Sequence, residues 1–185
     1  MDITLKSNTY KQLLWIAMAG ISMFFAGLTS AVIVRSSESG WDTIVMPEWF
    51  WYSTFVIILI SVILIIAKRK VKKGISPTSY IFSSFLLGIL FSYFQFLGWS
   101  QLIQEGKYFV GPGSNPASSF LYVITFAHLV HVVGGIVSLL VTTIKSAQTK
   151  YTKENYLGIE LTSIYWHFLD VLWVYLFIFL LYSLK

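Results

Sequence analysis

Long uncharged apolar runs alternate with short polar connections along this chain, and that alternation predicts its architecture. Crossing about 30 Å of hydrocarbon takes roughly 20 helical residues. Five runs reach that length, over residues 12–34, 47–67, 78–103, 116–144 and 161–184. Pro47 opens the second run, Pro77 precedes the third and Pro116 opens the fourth; proline suits a first helical turn, where its missing N–H is not needed. Asp170 is the one charged residue deep inside a run. The pattern predicts an all-α fold, a polytopic membrane helical bundle with five transmembrane helices in a single domain.

The connections predict an orientation. If five helices alternate, Lys6 and Lys11, the run Lys68, Arg69, Lys70, Lys72 and Lys73, and the loop lysines Lys145, Lys150 and Lys153 share one side. The other side holds Arg35, Lys107 and Lys185 beside Glu38, Asp42 and Glu48. Basic residues concentrate in short cytoplasmic connections, so the N-terminus is expected in the cytoplasm and the C-terminus on the periplasmic side. Trp41, Trp49, Trp51, Trp99 and Tyr108 fall near the outer boundaries, as an interfacial aromatic belt does. Gly20, Gly27, Gly88, Gly134 and Gly135 are candidates for close helix contact.

Composition removes several classes of function. The 185 residues are 56% apolar and only 11% charged, whereas a soluble domain carries about a quarter charged residues. A soluble enzyme or a nucleic-acid module is thereby excluded, and the net charge of +5 reads as orientation bias rather than a nucleic-acid footprint. With no cysteine, disulfides, Fe–S clusters and thiolate metal sites are excluded too.

The candidate chemistry is a set of ionisable residues inside the spans, where they are costly and need a partner or a wet cleft. His128 and His131 are three residues apart in the fourth run, and His167 and Asp170 three apart in the fifth, so each pair shares a helical face. Glu160 precedes His167 by seven residues on that same face. At about 1.5 Å rise per residue, Asp170 lies roughly 14 Å and His131 roughly 20 Å from the cytoplasmic ends of their runs. The two pairs could meet across antiparallel neighbours. The expectation is one buried network of His128, His131, His167 and Asp170, with Glu160 at its wet end. Such a network could lock two helices together, carry protons, or supply haem or metal ligands. Two residues three apart on one helix cannot face each other across a macrocycle, so haem would need His131 with His167.

The residues Tyr165-Trp166-His167-Phe168-Leu169-Asp170-Val171-Leu172-Trp173 resemble the Y-W-H-F-x-D-x-x-W signature of subunit III of the haem–copper oxidases. His128-Leu129-Val130-His131-Val132-Val133-Gly134 is similar to that family's H-G-L-H-V-x-x-G, with Leu129 in place of glycine. Phe24-Phe25-Ala26-Gly27 resembles its F-F-x-G. The family's membrane-embedded glutamate, six residues before that glycine, is Ile21 here. Any role of that carboxylate does not transfer.

The resemblance implies a short five-helix bacterial form in the plasma membrane, with the first two helices set apart from the last three by a lipid cleft. It implies a non-catalytic subunit of an oxygen-reducing, proton-moving complex, binding no cofactor or metal itself. Haem and copper would sit in subunits I and II, its expected partners, and a larger respiratory supercomplex is left open. The seam residues His128, His131, Glu160, Trp166, His167 and Asp170 would help support proton uptake and complex stability, with structural phospholipid retained. By position, Lys145 is similar to a residue that meets a lipid phosphate; a solvent-facing lysine or a Lys145–Glu160 pair is the alternative. A subunit associated with nitric oxide reductase and an independent small transporter are the competing functions.

Overall fold

The computed structural model describes residues 3–112, 114–149, 151–152 and 155–185, with side chains from residue 7 onward. Lys150, Lys153 and the side chain of Lys6 lie outside the described residues. Five helices follow in order: α1 (Ile3–Ser36), α2 (Glu48–Lys72), α3 (Thr78–Gln104), α4 (Pro116–Ala147) and α5 (Leu157–Ser183). Each is long and apolar enough to cross a membrane. The only β pairing among the described residues is an isolated bridge between Tyr108 and Ser114.

The α4 start is where the sequence places it, and the cap explains why. The Asn115 side chain accepts a hydrogen bond from the Ala117 amide at 2.8 Å, while the Asn115 amide donates to Ser118 Oγ at 3.3 Å. With Pro116 at the first helical position, two orphan donors are satisfied and a third is absent. Other ends run past the apolar stretches. The basic run through Lys72 is the last turn of α2, and Lys145 is in the last turn of α4, so neither belongs to a loop. Cations at a helix C-terminus complement its dipole, which lets these helices continue into the polar zone.

Helices α2, α3, α4 and α5 form a closed ring in which each packs on its two neighbours, and α1 leans on α5 and α4 from outside. Fully buried Phe50, Ile57, Phe91, Leu121, Ile124, Trp166 and Trp173 fill the interior of the ring. Among the described residues the α1 helix buries only Met18, Phe25, Thr29 and Val32, spaced by seven, four and three residues along one narrow seam. Among the described residues α1 does not touch α2, so the expected pairing of the first two helices, set apart from the last three, does not match these contacts.

The connection after α1 gives the reason. Trp41 Nε1 donates to the Ser183 carbonyl at 3.2 Å, the Asp42 amide to Asn115 Oδ1 at 3.3 Å and the Ile44 amide to the Leu184 carbonyl at 2.8 Å. The chain thus crosses the ends of α4 and α5 before α2 begins, and α2 lands on the far side of α5, against α3.

In hydrocarbon, helices associate through close packing and polar contacts rather than through a hydrophobic drive. Trp166 is the largest example of such packing. A Cβ added at Gly88 or at Gly135 would meet its indole at 3.2 and 3.0 Å, and Trp166 Nε1 donates to the Gly135 carbonyl at 3.1 Å. Gly98 clears space for the Phe50 ring in the same way, whereas Gly20 and Gly27 face open space and make no close contact among the described residues.

Candidate functional site: a polar column on the fifth helix

Helix α5 has three kinds of side. Trp166, Leu169 and Trp173 are buried in the ring, while Phe168, Val171, Leu172 and Tyr175 border a cleft against α1. The remaining stripe carries Glu160, Ser163, His167 and Asp170 at steps of three, four and three residues, the repeat that keeps side chains on one face.

At the basic end, each oxygen of Glu160 takes one lysine. Oε2 lies 2.8 Å from Lys11 Nζ of α1, and Oε1 lies 3.4 Å from Lys68 Nζ of α2. One carboxylate therefore ties three helices together, and the cluster keeps one excess positive charge. Lys145 is exposed and forms no ion pair among the described residues, so Glu160 and Lys145 are not partners.

Two turns further in, both ring nitrogens of His167 are occupied. Nε2 is 3.1 Å from Ser163 Oγ of the same helix, and Nδ1 is 3.0 Å from Ser61 Oγ of α2. Asp170 interacts with Ser61 and His167, and its Oδ1 is buried with no hydrogen-bond partner among the described residues. A column of polar groups thus runs from the lysine-clasped Glu160 to a half-satisfied carboxylate inside the bundle.

The histidines of α4 lie elsewhere. His128 is fully buried, with the rings of Trp173, Phe91 and Phe25 at centroid distances of 5.0, 6.1 and 6.3 Å. Neither of its nitrogens has a hydrogen-bond partner among the described residues. His131 Nδ1 lies 2.7 Å from the Ala127 carbonyl, and the ring packs on Phe25 and Phe24 at 5.6 and 6.4 Å. The four residues expected in one network therefore occupy two environments. Successive residues on a helix are about 100° apart; Trp166 and Trp173 take the α4 side of α5 and turn His167 and Asp170 toward α2. Trp166 is brought to neither group and acts as the packing key between Gly88 and Gly135. Among the described residues no three His, Cys, Asp or Glu side chains converge on a possible metal position.

Sequence reasoning missed Ser61, Ser163, Lys11 and Lys68 as members of the column. It also missed Gln95, whose Nε2 donates to Ser53 Oγ at 2.9 Å and whose Oε1 is buried without a partner. The available signal was a polar residue interrupting an apolar run, as Ser61 does between Ile60 and Val62 and Gln95 does between Phe94 and Phe96.

The quoted motifs meet in space. Phe24 and Phe25 of α1 meet the α4 histidines in tilted and edge-on ring contacts, and Tyr165 of α5 donates to the His131 carbonyl at 3.1 Å. The sequence profile of the family described as "Cytochrome c oxidase subunit III" matches residues 54–184. A "Cytochrome c oxidase subunit 3" of Synechocystis is 30% identical over 171 residues, which cover 85% of this chain and 68% of that one. A "Probable cytochrome c oxidase subunit 3" of Nocardia farcinica is 25% identical over 84% of this chain and 78% of its own. For a "Cytochrome c oxidase subunit 3" of Corynebacterium diphtheriae the identity is 31%, over 58% and 48% of the two chains. Together, the five membrane-spanning helices, the converging motifs and these matches assign the chain to the cytochrome c oxidase subunit III family, whose members are subunits of an oxidase complex.

Proposed function

We propose that this chain is the third, non-catalytic subunit of a haem–copper terminal oxidase in a bacterial plasma membrane, with its N-terminus in the cytoplasm. It packs on subunit I, while subunits I and II hold the haem and copper that reduce oxygen. Its own contribution is a rigid scaffold, retained phospholipid and support of proton uptake from the basic side. The observation that carries this reading is how the family motifs are used. Trp166 sits in the Gly88–Gly135 cradle, and Phe25, Phe91 and Trp173 enclose His128. The motif residues of α1, α4 and α5 thus serve one another as packing. The column from Glu160 to Asp170 opens at the end that carries Lys11 and Lys68, which suits proton exchange with the cytoplasm.

Purification in mild detergent tests the assignment. The reading predicts that the chain co-purifies with a larger subunit bearing haem, and that the chain alone in liposomes drives no proton flux. Isolation as a lone protein that moves protons by itself would overturn it in favour of a transporter. Lys145, exposed near the end of α4, is assigned to an anionic headgroup, since cations at the interface attract such lipids. Lys145→Ala should leave stability within about 0.5 kcal/mol while lowering the anionic phospholipid that co-purifies with the complex. Unchanged lipid content would remove that role.

A further inference from the structure

Helix α1 is held unevenly along its length. Its buried side chains, Met18, Phe25, Thr29 and Val32, all lie toward the end that leads into the 37–47 connection. There Phe25 packs against both α4 histidines, and Thr29 Oγ1 accepts a 3.4 Å hydrogen bond from Tyr175 of α5. From residue 7 to residue 17 no side chain is buried, and Leu13, Trp15 and Ile16 are exposed. Beneath this arm a cavity of about 280 Å³ separates Leu14 from the α4–α5 surface formed by Gly134, Ser138, Leu161, Thr162 and Tyr165.

Charge ties the arm down. Among the described residues, Lys11–Glu160 at 2.8 Å is the ion pair by which α1 reaches another helix. Both side chains stay partly open, 33% and 21% exposed, so dissolved ions can screen the pair. The surface under the arm does not need it for hydrogen bonding. The Ser138 and Thr162 hydroxyls lie 2.7 Å apart, those of Thr142 and Thr162 2.9 Å apart, and the Tyr165 hydroxyl donates to the His131 carbonyl. Lifting the arm leaves each of these hydroxyls bonded, and Glu160 keeps Lys68 at 3.4 Å.

The junction between the arm and the anchored part is suited to bending. Gly20 sits inside the helix, where a glycine weakens it. Ser22 Oγ donates to the Met18 carbonyl at 2.9 Å, a back-bond that competes with the helical ladder and favours a bend. Sharp helix bends recur where glycine and serine combine.

We propose that residues 7–17 of α1 form a hinged arm, latched by Lys11 on Glu160, that swings off α4 and α5 about Gly20–Ser22 when that ion pair is screened. Its release uncovers the Glu160 end of the polar column. The motion itself depends on contacts within this chain, while its bearing on proton entry rests on the proposed oxidase role.

The test uses the full chain with its co-purifying subunits in lipid nanodiscs. The photo-crosslinking residue p-benzoylphenylalanine replaces Leu14 in the arm or, separately, Ile21 in the anchored part, and cross-linked peptides are quantified by mass spectrometry. At low salt the Leu14 probe should cross-link to segments 134–138 and 161–165. In roughly 1 M salt, which shortens the screening length to about 3 Å, that yield should fall about two- to fivefold, the weight of one partly exposed ion pair. Glu160→Gln should lower the yield as much at low salt and remove the salt response. Lys11→Gln should do the same while leaving Glu160 and Lys68 paired. Gly20→Ala, whose added Cβ meets nothing within 4 Å, should stiffen the junction and blunt the salt response. Cross-linking from the Ile21 probe should stay constant throughout. A Leu14 yield that neither salt nor the two charge substitutions lower would overturn the latch. So would a parallel loss from Ile21, which would mean that α1 leaves as one rigid rod. Neither result depends on whether a haem-bearing subunit co-purifies, which is scored on the same samples.

Discussion

The two histidine-bearing regions solve the same physical problem in opposite ways. On α4, His128 is enclosed by aromatic rings with neither nitrogen bonded, and the neighbouring His131 turns Nδ1 back to its own helix. On α5, His167 is held by a hydroxyl on each side, in line with a carboxylate at either end of the column. The first region gains its stability from ring packing and shape. In the second, stability comes from partnered polar groups whose loss leaves other groups stranded. Ionisable side chains at the same i, i+3 spacing therefore need not share a role; the facing helix decides.

Substitutions can break or sharpen that contrast. The largest effect is expected for Trp173→Ala, which empties the centre of the aromatic layer and also removes the 2.9 Å hydrogen bond from Nε1 to Thr54 Oγ1. A loss of about 3–5 kcal/mol is the usual scale for such a truncation, read by denaturant unfolding in mixed micelles; a loss below 1 kcal/mol would mean the layer does not hold the bundle. Next comes His167→Leu, expected to cost about 1–3 kcal/mol because Ser61, Ser163 and Asp170 lose their shared partner. Glu160→Gln weakens two partly exposed ion pairs and should cost no more than about 1 kcal/mol. That cost should shrink as salt is raised, and a salt-independent cost would assign the stability to something other than the lysines. The smallest effect belongs to His128→Leu, which sacrifices no hydrogen bond and should be neutral or slightly stabilising.

Much of the architecture could be read from the sequence because hydrocarbon thickness imposes a length on each span, and because the Asn115–Pro116–Ser118 cap is written in local residues. The ring of helices could not be read that way. Apolar periodicity says which face of α2 is buried, but not that residues 37–47 carry the chain across α4 and α5 before α2 begins. The column was half legible for a similar reason. Spacing put Glu160, His167 and Asp170 on one face of α5, as the structure does. Nothing in the spacing said that this face meets Ser61 and Lys68 of α2 and Lys11 of α1 rather than the α4 histidines. Trp166 was legible as buried, yet its role depends on Gly88 from another helix.

A double-mutant cycle tests the separation of the two regions most directly. His128→Leu and His167→Leu, measured singly and together by unfolding of the full chain with its co-purifying subunits, should add to within about 0.5 kcal/mol, as sites without shared partners do. Ser61→Ala with His167→Leu is the control, and should fall short of additivity because the two side chains share a hydrogen bond. A coupling of about 1 kcal/mol or more between His128 and His167 would contradict the account and restore a single network across α4 and α5.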